Sequence, residues 1–533
     1  MALTERYSGF TVASALAHRA TTDPERDFLI FRDDALTYGQ IESKAEALAA
    51  ALNHLGIERG DRVALLLPAW PEFVVSMFAA AKLGAVIVPL NPRLTTPEMQ
   101  YMLRHSEAAA AVTVENYHGV DYLELFEDLL VQLPELQYLV TVGEEDLWYD
   151  DRIFQFEDLV SAGQGRDFVA PEADVEGDLF AILYTSGTTG KPKGVGVTHR
   201  NVLHTAAATV DAIGLRAEDR VIGVSGLFHV FGMGPGILGS LLSGAALVLQ
   251  DEFDAGATLD LVAQHAVTVQ YGIPTLFVTE LHEQARAPRD VSSLRLGVAA
   301  GAPVSDDLVR EVQRRLCPLL LVAYSLTETS STVCITRPGD PPEKRRFTVG
   351  RPIHGTSVRV IEADGTELPI ESVGELAVKG PGVMRGYYRQ PLETSSSFDE
   401  DGFLLTGDLG IVDEEGFVHL VGRRKEVIIR SGFNVYPREV EDRLQAHPAV
   451  REASVVGVPD EILGEAICAC IVPIEGAIVT GHEIKDWCRV TLAEYKVPDL
   501  VRFLDEFPLT GTGKVRRIEL ARVIQADQQS RRS

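Results

Sequence analysis

The 533-residue chain is 46% hydrophobic and carries 77 acidic against 49 basic residues, a formal net charge of −28. That charge excludes a broad nucleic-acid-binding surface, which needs a cationic face, while the length allows several merged α/β units with a large core. No apolar run approaches the roughly 20 residues of a membrane helix, and MALTERYSGFTVASALAHRA lacks the apolar centre of a signal peptide, so a cytoplasmic location is expected.

In chain order, Ile41–Leu55 has helical spacing, RVALLL reads as a strand, PEFVVSMFAAAKLG as a helix closed by Gly84, and AVIVPL as another strand. The buried-looking strand LFAIL then runs into YTSGTTGKPKG (Tyr184–Gly194), and a helical pattern starts near Asn201. The strand–helix rhythm recurs from Leu259 to Val322 through VTVQYG, LRLGVAA and LLLVAYS, which predicts parallel sheets covered by helices. After Gly350, short strands with turn signals (EADGTEL, DEEGFV) predict a β-rich subdomain. The chain turns abruptly basic at GRRKEVI (Gly422–Ile428); beyond it PREVEDRLQAHP reads as a helix, and ASVVGVP and AICACIVP as strands. The expected fold class is α/β. A large N-terminal domain of helix-covered sheets with its β-rich subdomain covers 1–421, a hinge 422–425, and a small mobile C-terminal α/β domain 426–533. The closing ADQQSRRS reads as a frayed tail. Cys317, Cys334, Cys468, Cys470 and Cys488 lack metal-ligand spacing and are expected to be free buried thiols.

YTSGTTGKPKG is rich in donors and poor in bulk. Its hydroxyls and backbone N–H groups can face one anion, with charge added by Lys191 and Lys193, which is a phosphate-binding pattern. It is not a P-loop, because only Thr188 and Thr189 separate Gly187 from Gly190, and Pro192 follows Lys191. Three further segments carry chemistry. YSLTETS (Tyr324–Ser330) sets Glu328 just beyond an apolar strand, LLTGDLG (Leu404–Gly410) leaves Asp408 in a glycine-rich turn, and PLTGTGKVRR (Pro508–Arg517) holds Lys514 on a loop. Each alone reads as an ordinary turn; all four in this order form a signature.

Together with LFHVFG, GVMRGYY and GRRKEVIIRSGFNVYP, these segments resemble the adenylate-forming superfamily of acyl-CoA synthetases, luciferases and peptide-synthetase adenylation domains. The likeness runs from about Phe10 to Leu520 and is greatest to fatty acyl-CoA ligases. It implies an enzyme that joins a carboxylic acid to ATP, releasing pyrophosphate, and passes the acyl group from acyl-AMP to the thiol of coenzyme A. It also implies roles. Thr185, Ser186, Gly187, Thr188, Thr189, Gly190 and Lys193 would wrap the pyrophosphate end of ATP, Glu328 would hold Mg²⁺, and Thr327 would contact the α-phosphate. Tyr324 would lie on the adenine, Asp408 would accept the ribose hydroxyls with Arg423 assisting, and Lys514 would bridge the carboxylate and the α-phosphate. Lys425 would be the hinge, and Gly432 and Phe433 would line the CoA route. Ser325 and Leu326 depart from the family, which usually has Gly, often followed by Met, after the aromatic residue.

Peptide-synthetase domains generally carry an Asp early in the segment matching LFHVFGMGPG. No acidic residue lies between Ser225 and Gln250, so an α-amino acid, whose buried ammonium would lack a partner, is disfavoured. The candidate acyl wall is Phe228–Gly232, Tyr271, Gly272 and Ala299–Pro303, which includes His229, Ala300, Gly301 and Ala302. His229 is either a packed histidine or a group beside the reacting carboxylate. The apolar wall suits an uncharged tail; a medium- to long-chain fatty acid is expected, with an aryl or alicyclic acid as the alternative. GVSGL brushes against the serine-hydrolase elbow, but Leu227 occupies the place of its second glycine. A luciferase-like oxygenase shares the adenylation half-reaction. The expected partners are the acid, ATP and CoA, without nucleic acid or an integral membrane segment; a homodimer is left open.

Overall fold

The computed structural model describes residues 2–145, 147, 150–167, 169–185, 192–223, 226–460, 462–509 and 515–532, the side chains of 526–532 excepted. The chain divides into two compact units, one of residues 1–357 with 378–404, the other of 358–377 with 405–533.

The larger unit is built on two sheets. In the nine-stranded sheet, Leu320–Leu326, Leu296–Ala300, Val269–Gly272, Arg220–Gly223, Ala246–Leu249 and Asp27–Phe31 lie side by side and parallel, with antiparallel strands at both edges. In the eight-stranded sheet, Leu179–Thr185, Val86–Pro89, Arg62–Leu65, Ala108–Val114, Tyr138–Val142 and Ile153–Gln155 are parallel. Every residue of Val86–Pro89 and Ala108–Val114 is buried, as parallel strands covered on both faces require.

The helices start and stop where their sequence directs. Tyr38–His54 opens on a capping box, in which the Thr37 hydroxyl accepts the Gln40 N–H and the Gln40 amide oxygen accepts the Thr37 N–H. Pro71–Leu83 begins with Pro at its first position and ends at Gly84, whose φ of 67° is the left-handed cap that glycine adopts without strain. One segment breaks the pattern. Gly232–Leu238 is a buried π-helix with Pro235 inside it, where the wider turn absorbs the N–H that proline lacks.

The smaller unit carries a four-stranded sheet (Ser357–Ile361, Gly374–Lys379, Leu404–Val412, Val418–Arg423), the β-rich part read from the sequence. It also carries a five-stranded sheet formed by Phe433–Val435, Ile428–Arg430, Gly464–Pro473, Val450–Asp460 and Leu500–Phe503. The expected frayed tail is instead helical, part of Arg517–Arg532, whose Leu520 and Ile524 are buried against Cys468 and Cys470. Those two anchors let the continuation extend a helix already begun. All five cysteines are free and buried, and burial pushes the Cys317 thiol up to about 12 and that of Cys488 to about 11.

Glu280 is wholly buried, and its carboxyl accepts from Gln270 Nε2 at 2.6 and 2.7 Å. Burial pushes its pKa up to about 8. The folded state therefore keeps the proton where the unfolded chain has lost it. The contribution of Glu280 is fully present below about pH 4.5 and is lost as pH rises toward 8, an upper bound of about 5 kcal/mol. Glu280→Gln should raise the melting temperature at pH 8 by several degrees and leave it nearly unchanged at pH 5. Equal shifts at both pH values would show that Glu280 is not a buried neutral acid.

Candidate active site

The parallel strands of the nine-stranded sheet bring several expected site residues to one edge. Gly272 pairs with Ala299 and Ala300 with Ala323, next to Tyr324, so the carboxyl ends of three neighbouring strands supply Gly272, Ala300 and Tyr324. This is where open α/β sheets bind ligands. Phe228 and His229 follow the fourth strand, Arg220–Gly223, in a turn closed by the His229 N–H donating to Gly226 O. His229 Nδ1 accepts the Phe231 N–H at 3.3 Å, which places the proton of a neutral ring on Nε2. Phe231 meets the buried Tyr271 edge-to-face at 5.4 Å, giving the wall a rigid aromatic floor. Gly301 has φ +83°, so it turns the chain out of its strand and is required by the backbone; the neighbouring Ala302 is exposed.

Leu179–Thr185 pairs antiparallel with Lys193–Thr198, in the register Tyr184 to Gly194 and Thr185 to Lys193. The segment expected to bind phosphate is the connection of this hairpin. Of it, Ser186, Gly187, Thr188, Thr189, Gly190 and Lys191 lie outside the described residues, as does Lys514. Both ends of the connection are clamped. The Tyr184 hydroxyl donates to Met102 O at 3.1 Å and stands 2.7 Å from His105 Nδ1; the Tyr101 hydroxyl donates to Pro192 O at 3.2 Å; the Tyr388 N–H donates to Gly194 O at 2.7 Å. Gly194 itself admits no side chain, since a Cβ there would stand 2.8 Å from Ile182 Cγ2.

Glu328 sits in a single 3₁₀ turn, Thr327–Thr329, directly after Leu320–Leu326. Thr329 Oγ1 ties the turn by reaching Leu326 O and Ser331 O, and Ser330 and Ser331 leave it at φ 56° and 107°. Two successive residues in that region store backbone strain, and such strain collects at functional sites. Ser325, the departure from the family pattern, coincides with a register shift against Ser331–Ile335 between Tyr324 and Ser325. A bulge of this kind re-aims the side chains around it. The Glu328 carboxylate accepts from the Tyr387 hydroxyl at 3.0 Å, and the Lys193 ammonium lies 4.6 Å from the centre of the Tyr387 ring. Burial, and then the Glu328 charge, push the Tyr387 phenol above its ordinary pKa.

In the smaller unit, Asp408 lies within the extended strand Leu404–Val412 rather than in a turn; the bend is confined to Gly407, φ 72°. Asp408 is paired in register with Arg423, and Arg423 Nε stands 3.0 Å from Asp408 Oδ1. Glu375 braces this stretch by accepting the Gly407 N–H at 2.9 Å and the Arg424 guanidinium at 2.8 Å. Lys425 is exposed in the 3₁₀ turn Arg424–Glu426. Ser431 and Gly432, at φ 50° and 84°, make the tight turn between Ile428–Arg430 and Phe433–Val435. Phe433 is 54% exposed and stacks on Tyr495 with ring centres 4.8 Å apart.

Among the described residues no group of three or more His, Cys, Asp or Glu could hold a metal. A single carboxylate such as Glu328 fits Mg²⁺, which is held by one or two carboxylates and completes its shell with phosphate oxygens and water. Tyr387, Tyr101, His105 and Tyr388 were not foreseen as parts of the site. GVMRGYY gave a sign of Tyr387 and Tyr388, as a motif of the resemblance without a role; Tyr101 and His105 had none.

A hairpin clamped at both ends of the expected phosphate segment, a carboxylate beside it and the carboxyl-end edge of parallel strands together suit an enzyme that handles a nucleotide. The chain belongs to the AMP-binding enzyme family, within the adenylate-forming superfamily: residues 16–388 match the AMP-binding enzyme family and 439–514 its C-terminal domain. A feruloyl-CoA synthase of Amycolatopsis sp is 34% identical, over 95% of this chain and 97% of its own. The mitochondrial medium-chain acyl-CoA ligase ACSF2 of Bos taurus is 31% identical, over 96% and 87%. The crystal structure of the anthranilate CoA ligase AuaEII in complex with anthranoyl-AMP superposes with a TM-score of 0.90 at 28% identity, covering 99% of this chain and 100% of that one.

The hairpin yields a stability test. Gly194→Ala should cost about 1–3 kcal/mol through overpacking, and Ile182→Ala alone about 2–5 kcal/mol through a cavity. Combined, the two should cost less than their sum, because the second relieves the overlap of the first; strict additivity in denaturant unfolding would contradict the close approach.

Proposed function

We propose that this enzyme is an ATP-dependent acyl-CoA ligase acting on a medium- to long-chain fatty acid in two half-reactions. In the first, a carboxylate oxygen bonds to the α-phosphorus of ATP as the bond to the β-phosphate oxygen breaks, giving acyl-AMP and pyrophosphate. In the second, the CoA thiolate attacks the acyl carbonyl and AMP departs. The observation that carries the reading is the meeting of Lys193 and Glu328 on Tyr387 at the foot of the phosphate hairpin, a cation for phosphate beside a carboxylate for its metal.

The chain's residues take these parts. Thr185, Ser186–Gly190 and Lys193 bind the departing phosphates, Thr327 the α-phosphate, and Tyr324 the adenine. Asp408, aligned by Arg423, accepts the ribose hydroxyls. Lys514 sits between carboxylate and α-phosphate, screening two anions as they approach, and His229 presents Nε2–H beside the carboxylate. When bound through Glu328, Mg²⁺ supplies further neutralisation of the phosphates. Residues 426–533 serve both half-reactions, Lys514 in the first and the Gly432–Phe433 turn in the second, exchanged by rotation about Lys425 with 422–425 as the hinge.

An aryl acid is the second reading, favoured by likeness to a feruloyl-CoA synthase and an anthranilate CoA ligase and by the aromatic pair Phe231–Tyr271. A panel of aliphatic acids, hydroxycinnamates, benzoates, dicarboxylates and amino acids, assayed for AMP and acyl-CoA together, decides between them. The highest kcat/KM should fall on aliphatic acids. A maximum on cinnamates or benzoates selects the second reading, and a maximum on dicarboxylates or amino acids overturns both.

The two half-reactions should also separate by mutation. Lys514→Ala should abolish acyl-AMP formation yet convert supplied acyl-AMP and CoA to thioester. Lys425→Pro, which fixes φ and removes an N–H, should keep pyrophosphate exchange and lose thioester formation. Parallel loss of both half-reactions in both variants would show that domain alternation is not the mechanism.

A further inference from the structure

GVMRGYY is threaded between the two phosphate-handling motifs. Met384 N–H donates to Glu328 O at 2.8 Å, which holds the backbone of the carboxylate turn. Arg385 and Tyr388 N–H donate to Gly196 O and Gly194 O, and Gly386–Tyr387 pairs antiparallel with Lys193–Thr198, so the same few residues form the outer edge of the phosphate hairpin. Tyr387 stands at the crossing. Its backbone N–H is fixed by Thr394 Oγ1 at 2.9 Å, its ring carries Lys193, and its hydroxyl is spent on Glu328.

We propose that Tyr387 is a positioning residue, whose hydroxyl aims the Glu328 carboxylate at the metal–phosphate site while its ring aims the Lys193 ammonium at the same phosphates. The inference rests on the reading of Glu328 as the metal carboxylate. A carboxylate at a strand end has free rotation about its own side chain, and one charge-assisted hydrogen bond from a half-buried phenol removes most of that freedom. The two oxygens then become unequal, because Oε1 accepts from Tyr387. Removing a residue that orients a metal-bound group in this way typically costs about 10–100-fold in metal affinity. On the other face, an ammonium over an aromatic ring is attracted to it without losing its donors, so Lys193 is placed and still able to bind phosphate. One side chain thereby sets the spacing between a positive and a negative group across which the triphosphate must fit.

The test is the affinity of Mn²⁺–ATP for the full-length protein, followed by Mn²⁺ electron paramagnetic resonance without the acid, so that no turnover occurs. Wild type is compared with Tyr387→Phe, Glu328→Gln, the double variant and Tyr387→Leu. Tyr387→Phe should weaken Mn²⁺–ATP binding about tenfold and raise the half-saturating Mg²⁺ of pyrophosphate exchange in step, with KM for the acid unchanged. Glu328→Gln should weaken it further, and the double variant should match Glu328→Gln alone, because the hydroxyl acts only through that carboxylate. Tyr387→Leu should in addition raise the half-saturating ATP at saturating Mg²⁺. If Glu328→Gln weakens binding and Tyr387→Phe does not, the positioning role falls while the metal assignment stands. If Glu328→Gln has no effect, the metal assignment falls and the positioning role with it. A loss that adds in the double variant, or an equal loss in every kinetic constant with a lowered melting temperature, makes Tyr387 a packing residue only.

Discussion

The antiparallel pairing of Leu179–Thr185 with Lys193–Thr198 is the constraint from which the larger unit's site takes its form. A loop that offers backbone N–H groups and small hydroxyls to an anion cannot also pack large side chains against the body of the protein. What holds such a loop has to act at its ends. Three tyrosines meet that need from different directions: Tyr184 from within the strand, Tyr101 from the Thr96–Ser106 helix, and Tyr388 from the neighbouring edge. Gly194 completes the arrangement by letting the returning strand approach Ile182 more closely than any side chain would allow.

A second constraint is charge. Binding a polyphosphate beside an acid collects negative charge, and the chain as a whole is strongly acidic. The larger unit answers by pairing its own carboxylates locally. Asp219 is held by Arg295, Glu42 by Lys82 and Asp340 by Arg351. Where a carboxyl is buried without a cation, as Glu280 is, burial keeps it protonated. In the smaller unit Asp408 is likewise matched to Arg423 and Glu375 to Arg424.

Much of this was legible in the sequence, for local reasons. Gly84 as a helix stop, Val86–Pro89 as a strand and the parallel run from Val269 to Leu326 follow from periodicity and cap chemistry, which need no knowledge of partners. The edge occupied by Gly272, Ala300 and Tyr324 followed once those strands were parallel. Less legible was whatever depends on distant contacts. TGD reads as a turn, but a four-stranded sheet draws it straight and leaves only Gly407 bent. The π-helix that contains Pro235 left no sign in the spacing of Gly232–Leu238. Tyr387 is one aromatic in a motif; its two partners lie 59 residues before it in one case and in the phosphate hairpin in the other, and no spacing rule connects them.

The buried cysteines have a practical consequence. A reaction that consumes a thiol co-substrate is conveniently followed with disulfide reagents, which normally attack the enzyme as well. Here each of the five cysteines is shielded from solvent, and burial disfavours the reactive thiolate at Cys317, Cys334 and Cys488. Cys468 and Cys470 hydrogen-bond to each other under the Arg517–Arg532 helix, so a reagent reaches them only when that helix lifts away. The folded protein is therefore nearly silent toward such reagents, and the colour it does release reports how often its interior opens.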